Sequence, residues 1–362
     1  MARFYESLID RAKSAGFPLA GALDLDSVLT EILPQHVARY DRWLELGSQG
    51  EMEYLKRGRD RRADPRLVFR EARSILCVAL PYSAAPLSTG RGPRFARYLR
   101  GRDYHLEIAE KLERMMEALR QDCPDLKWKI CVDTSAVLER SWAALAGLGW
   151  IGKNTLLMHP QYGSYLFLAE VLLNQPVERG PAPLPDFCGH CTRCLDACPT
   201  GAFRAPHDLD ARECISYWTL EKRSELPVSE EQKKKIGNWV AGCDVCQEVC
   251  PFNLKAAKST AIEETEFPDE WKAAIAETES AYRERVKVSA LNRVKPAQYR
   301  RNIAVAYGNQ APLNLETDVA LKELIQNETD PVVKKEWERA ETLRTQAESV
   351  KGNGNAIGER KF

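Results

Sequence analysis

Apolar positions recur at helical spacing from the start of the chain, where Phe4, Leu8, Ile9 and Ala12 share one face until Gly16 and Pro18 end the pattern. Ser74 to Pro81 is a continuous apolar run closed by proline and predicts a buried strand. Helical periodicity returns over His105–Gln121 through Leu106, Ile108, Leu112, Met115, Met116 and Leu119. Lys127–Asp133 alternates like a strand, Val137–Leu148 is helical again, and Asn154–Met158 reads as a strand. Mixed α/β structure follows for residues 1–175. Residues 175–186 carry four prolines in twelve positions and predict an extended connector. Beyond about 256 the chain is cysteine-free and helical, with Lys295–Tyr307 and Val319–Ala340 resembling stacked helices of a short repeat array. The glycine- and asparagine-rich end predicts a disordered tail over 346–362. The fold class expected is α+β, multidomain, divided as 1–175, 176–255 and 256–345.

Composition changes this picture at one residue type. At 362 residues, 44% hydrophobic and 29% charged, the chain is ordinary for a globular protein. Its 52 basic and 52 acidic residues cancel, so no global field draws it to polyanions. Cysteine stands out, at 11. The opening residues do not read as a signal peptide, and no apolar run approaches a membrane span. We therefore expect a cytoplasmic protein with reduced cysteines available to metal, no membrane contact and a monomeric state.

The spacing Cys188-x2-Cys191-x2-Cys194-x3-Cys198-Pro199 is the bacterial ferredoxin run, whose first three thiolates hold one [4Fe–4S] cluster while the fourth serves another. A zinc site would leave most of these cysteines unused. The second run, Cys243-x2-Cys246-x3-Cys250-Pro251, lacks a first cysteine because position 240 is Val. Cys214 is the nearest unassigned candidate. Crossed ligation then gives one cluster on Cys188, Cys191, Cys194 and Cys250, and another on Cys198, Cys214, Cys243 and Cys246. Cys77, Cys123 and Cys131 are left as small buried hydrophobes. Two such clusters form an electron wire, so another part of the chain must receive the electrons.

Gly147-Leu-Gly149-Trp-Ile-Gly152-Lys153-Asn154 matches a dinucleotide fingerprint in letters only. It follows a helical stretch and precedes an extended one, the reverse of the order such a site needs, and Asn154 stands where a phosphate loop has Ser or Thr.

The segments Asp103-Tyr-His105, Val132-Asp-Thr-Ser-Ala-Val-Leu-Glu-Arg140, Gly149-Trp-Ile-Gly-Lys-Asn154, the ferredoxin run, Cys214-Ile-Ser-Tyr217 and Gly242 to Asn253 together resemble the epoxyqueuosine reductases, in order, over residues 1 to about 340. The resemblance implies a cobalamin-dependent enzyme that removes the epoxide oxygen of epoxyqueuosine in the tRNA anticodon loop, fed by an external low-potential electron donor. It implies an N-terminal α/β cobalamin-binding domain, a ferredoxin-like two-cluster domain and a C-terminal HEAT-like helical domain. The chemistry is coherent, because each cluster passes one electron at a time while epoxide removal takes two. Asp103-Tyr-His105-Leu-Glu-Ile108 lacks the glycine of the D-x-H-x-x-G pattern, so no histidine is expected on cobalt.

Asp133 is the candidate proton donor, with a pKa raised by desolvation among Ile130, Val132 and Val137. The alternative is that Asp133 caps a helix beginning at Thr134. Asp103, His105 and Arg140 match the family's substrate side. Arg57 matches a cobalamin-contacting position, and Asn154, Ser164, Ser216, Cys243 and Asp244 are further candidates for lining the corrin.

Charge is uneven along the chain. Residues 91–103 carry five arginines against Asp103, and 283–301 carry seven basic residues against Glu284, with the acidic stretch 263–279 between. Two basic stretches suit a tRNA cradle, with Arg293, Lys295, Arg300 and Arg301 as candidate contacts. A corrinoid reductive dehalogenase would share both cofactors but usually carries a twin-arginine leader, which is missing from these opening residues. A ferredoxin fused to a helical binding module would need neither corrin nor Asp133.

Overall fold

The computed structural model describes residues 2–31, 33–82, 92–178, 180–223, 229–256, 267–310 and 316–354. The chain divides into two compact units. Unit 1 comprises Met1–Ala85, Gly101–Arg212 and Asp244–Glu264, and unit 2 comprises Pro86–Arg100, Glu213–Cys243 and Thr265–Phe362. Unit 1 thus takes in most of the segments 1–175 and 176–255, and unit 2 most of 256–345 together with two inserts from earlier in the chain.

Unit 1 is built on one four-stranded sheet of β1 (Leu19–Asp24), β2 (Ser74–Pro81), β3 (Trp128–Cys131) and β4 (Leu166–Leu173), in the order β1-β2-β4-β3. Every neighbouring pair is antiparallel. All eight residues of β2 are buried, because the strand has a neighbour on each edge and both faces are covered. Helices α1 (Ala2–Ser14) and α2 (Tyr104–Arg120) pack on the sheet, and so does α3 (Glu139–Leu145). The core beneath α3 gathers Ile75, Cys77, Ala79, Cys131 and Leu172 of the sheet with Trp142, Ala143 and Ala146. Gly21 is required there, since a Cβ would stand 2.2 Å from the Ala146 carbonyl oxygen.

The predicted helix over 137–148 is shorter, Glu139–Leu145. The predicted strand 154–158 shrinks to Leu157–Met158, paired with Trp150–Ile151. Asn154–Leu156 instead turn the hairpin, with Gly152 N donating to Leu156 O and Thr155 N to Gly152 O. The glycine motif is therefore a hairpin, with no strand-to-helix turn for a phosphate.

Unit 2 is mainly helical, with α4 (Pro296–Gly308), α5 (Glu316–Asn327) and α6 (Pro331–Gly354) as its longest helices. Both α4 and α5 pack on α6. Helix α6 continues to Gly354, into the stretch predicted to be a disordered tail, and 355–362 lie outside the described residues. Polar side chains of α4 fasten the insert Glu213–Cys243. Asn302 Nδ2 donates to Thr219 O and Val240 O at 2.8 and 2.9 Å, and Gln298 Nε2 donates to Thr219 O at 3.2 Å. No described helix is long and apolar enough to cross a membrane.

Candidate functional site

The first half of the site is the cysteine block. Short helices Arg193–Asp196 and Val245–Glu248 lie against each other in unit 1. Cys194 is pushed up to about 11, first by burial and then by the facing thiols of Cys188, Cys250 and Cys191. Burial and Cys191 also raise Cys250. Cys188, Cys191 and Cys250 thus lie close enough to Cys194 for their charges to be felt there, with Cys250 arriving from the second run. Thiolates that repel in this way suit the positive irons of a cluster. Among the described residues no three His, Cys, Asp or Glu side chains are grouped to hold a single metal ion. The glycine hairpin serves this block. Trp150 Nε1 donates to Cys188 Sγ at 3.4 Å, and Lys153 Nζ donates to Gly189 O and Cys191 O at 2.6 and 3.0 Å. Of the other predicted set, Cys198 and Cys246 lie in unit 1 and Cys214 and Cys243 in unit 2.

The second half gathers residues from three segments of unit 1. Asp103 caps the N-terminus of α2 by accepting from His105 N at 3.0 Å, and the same oxygen lies 2.6 Å from His105 Nδ1. His105 Nε2 lies 3.2 Å from Asp133 Oδ2. Burial works against charge on this imidazole, but hydrogen bonds to Asp103 and Asp133 outweigh it and carry the pKa up to about 9. His105 is thus a cation at neutral pH. Asp103, although burial pushes the other way, is held below the usual carboxylate range by His105. The imidazole stacks on Tyr104, which stacks on Phe167.

Two expectations for Asp133 change. Its side chain is 46% exposed, so the desolvation expected from Ile130, Val132 and Val137 is not its setting. Nor does it cap a helix: α3 begins six residues later, with Leu138 in the cap position. Asp133 occupies a left-handed turn at φ +50°, a conformation that non-glycine residues rarely hold. Its backbone N–H donates to Glu139 Oε1 at 2.5 Å. Arg140 Nη1 donates to Thr155 O at 2.7 Å, which ties α3 to the glycine hairpin.

The sequence reading missed Glu139 and Glu170. Glu170 is fully buried in the middle of β4, directly between Cys77 of β2 and Cys131 of β3, and neither carboxyl oxygen has a hydrogen-bond partner. Burial, with the charges of Glu139 and Asp133, pushes its pKa well above the carboxylate range. A lone acid inside the apolar run Tyr165–Leu173 was the available signal.

Of the remaining candidates, Ser164 and Asp244 share Gln247 as a hydrogen-bond partner. Arg57 is exposed at the end of the helix Glu53–Arg57. Asn154 is buried, with Oδ1 accepting from Leu156 N. Ser164 is committed to a buried network with Asn253 and Gln247. Asp244 is buried and accepts from Gln247 Nε2, while Ser216 precedes the turn Tyr217–Glu221 of unit 2.

The basic stretch 283–301 is largely neutralised by ion pairs. Arg301 is 2% exposed and donates to the carbonyls of Trp218 and Lys222, so it is a structural residue and not a tRNA contact. Arg300 pairs with Glu279 and Glu328, and Arg293 with Glu221. Arg94 lies 4.0 Å over the Trp239 ring, and Arg102 pairs with Glu110. Lys295 is exposed at the start of α4, and Arg91 lies outside the described residues.

Comparison with known proteins gives two family matches, epoxyqueuosine reductase QueG over residues 62–134 and a 4Fe-4S double cluster binding domain over 187–253. A Synechococcus protein named epoxyqueuosine reductase is 36% identical over 317 residues, covering 86% of this chain and 96% of its own. Among solved structures, an epoxyqueuosine reductase crystallised with an epoxyqueuosine-modified tRNA-Tyr stem loop superposes with a TM-score of 0.74 at 29% identity, over 95% of this chain and 99% of that one. The Bacillus subtilis epoxyqueuosine reductase, described with an aspartate catalytic loop swung out of its active site, gives 0.72 at 28% identity over 94% and 99%.

Proposed function

Because the chain belongs to the epoxyqueuosine reductase family of oxidoreductases, we propose that it converts epoxyqueuosine in a tRNA anticodon loop to queuosine. The reaction consumes two electrons and two protons, breaks both C–O bonds of the epoxide and releases the oxygen as water. Cys188, Cys191, Cys194 and Cys250, and Cys198, Cys214, Cys243 and Cys246, would hold two [4Fe–4S] clusters, which would relay single electrons from an external low-potential donor. Cobalamin, when bound, supplies a cobalt centre able to take up two electrons in turn. Both ring nitrogens of His105 are engaged by carboxylates, which suits a cobalt with no histidine ligand.

The observation that carries this reading is the chain Asp103–His105–Asp133, with Asp133 half exposed on a strained turn. In water the imidazolium and carboxylate are stable as an ion pair. A substrate that covers Asp133 removes that water and favours the neutral pair, moving the proton from His105 Nε2 to Asp133 Oδ2. Asp133 then supplies one of the two protons to the opening epoxide oxygen, the second being drawn from bulk solvent as the oxygen leaves as water, and Asp103 keeps the imidazole oriented. The relative whose aspartate loop is called catalytic supports the same assignment.

Asp103, His105 and Arg140 are assigned to the substrate. Arg57, Asn154, Ser164, Ser216, Cys243 and Asp244 are assigned to the corrin, with Ser164 acting through its buried network. The domain scheme 1–175 cobalamin, 176–255 clusters and 256–345 HEAT-like helices for tRNA is part of the proposal, as are a cytoplasmic setting and a monomer. The test is reconstitution with iron, sulfide and cobalamin, followed by turnover on epoxyqueuosine-containing tRNA. Corrin absorbance that co-purifies, and queuosine in the product, are expected. A protein that binds no corrin and leaves the epoxide intact would sink the reading.

A further inference from the structure

The Asp133 turn is held from below. Its N–H is 2.5 Å from Glu139 Oε1, and Glu139 is the first residue of α3, a helix anchored in the core by Trp142, Ala143 and Leu145. A residue at φ +50° needs its surroundings to hold it there, and such strain gathers at functional positions. We propose that Glu139 is the positioning residue of the reaction, a carboxyl latch that fixes the Asp133 turn and so aims the proton donor at His105 and the substrate. The inference rests on Asp133 as donor.

The groups facing Glu139 make the latch titratable. Burial and the charge of Asp133 raise it, opposed by the Asp133 N–H, Arg140 and His105, and the result is about 8. On the sheet side stand Glu170, Cys77 and Cys131, all of which burial keeps protonated. Glu139 gains its charge as pH rises through about 8, and a charged acceptor binds an N–H more strongly than a neutral one. The turn is therefore fastened more firmly on the alkaline side.

The experiment compares Glu139→Ala and Glu139→Gln in the reconstituted enzyme, with hydrogen exchange at the 132–138 amides as a readout independent of turnover. Glu139→Ala should lower kcat about 10- to 100-fold, the cost of misplacing a reacting group by an ångström. KM for tRNA and iron content should hold, and the Asp133 amide should lose protection. Glu139→Gln keeps an accepting oxygen, so it should restore most of kcat and protection and abolish the wild-type change in kcat near pH 8. Unchanged protection in Glu139→Ala, a Gln variant as impaired as Ala, or a rise in kcat through pH 8 that survives in Glu139→Gln would each overturn the proposal, the fall as His105 loses its proton near pH 9 being a separate, descending limb. So would a Gln variant that fails to fold, since Glu139 would then be structural. Asp133→Asn run alongside separates the two readings. If that variant turns over normally the donor assignment falls, while the amide protection still reports on the latch.

Discussion

His105 Nε2 and Asp133 Oδ2 stand 3.2 Å apart, and the imidazole is charged at neutral pH because a second carboxylate, Asp103, holds its other nitrogen at 2.6 Å. A proton is therefore stored within one hydrogen bond of a half-exposed carboxylate on a constrained turn. General acids are usually tuned by burial, whereas in the proposed mechanism the proton is kept on a neighbour.

Asp133→Asn should lower turnover by roughly 10²–10⁴, the usual contribution of a positioned general acid. Folding and iron content should survive, because Asp133 caps no helix and asparagine tolerates a left-handed turn. Asp133→Ala should also lose stability, by about 1 kcal/mol, since alanine is strained at positive φ. Thermal melts and turnover on modified tRNA separate the two effects.

His105 predicts a pH dependence of stability. Its folded pKa is raised from 6.5 to about 9, so the stabilisation is full below pH 6.5 and lost as pH rises to about 9. His105→Gln should cost a few degrees of Tm at pH 6 and progressively less by pH 9. Equal losses at both pH values would show that the imidazolium adds nothing beyond packing.

Glu170 shifts stability in the same direction for a different reason. Its pKa is raised by burial, so the folded chain keeps a proton that the unfolded chain releases above about pH 4.5. Stability should fall as pH rises from there, by about 1.4 kcal/mol per unit until Glu170 ionises. Glu170→Gln stays neutral and matches it in shape. It should flatten that slope and raise Tm at pH 8, measured against wild type.

Much of this site was legible in one dimension and some was not. The Cys-x2-Cys-x2-Cys-x3-Cys-Pro spacing is local and exact, so a 4Fe-4S double cluster binding domain was legible over this stretch. Helix α1 and strand β2 were legible because each element's own pattern meets the core. Strand β1 was missed, since Leu-Ala-Gly-Ala-Leu-Asp is short and weakly patterned and owes its place to pairing with β2. Glu170 broke the apolar run of β4, and only the cross-strand register places it between Cys77 and Cys131. The setting of Asp133 was misread because its apolar sequence neighbours face the core while its own side chain turns outward. A left-handed residue reverses that local inference.

The last prediction concerns RNA, where position within α4 decides between residues of equal charge. Arg301 is 2% exposed, with its guanidinium on the carbonyls of Trp218 and Lys222, and Lys295 is exposed at the start of the same helix. Arg301→Ala should destabilise unit 2 by about 2–4 kcal/mol, because a buried side chain is truncated and the Trp218 and Lys222 carbonyls each lose a donor. Its tRNA affinity, measured below the melting transition, should stay near wild type. Lys295→Glu should leave the melt unchanged and weaken tRNA binding. If Lys295 touches one phosphate, the slope of log affinity against log salt should fall by about one. Arg300 sits between these cases, since Glu279 and Glu328 already neutralise it, and its reversal should disturb those pairs more than RNA. Binding isotherms at several salt concentrations decide the matter. An Arg301→Ala protein that folds normally but loses tRNA would return Arg301 to the contact surface, and a Lys295→Glu protein with an unchanged slope would take α4 out of the interface.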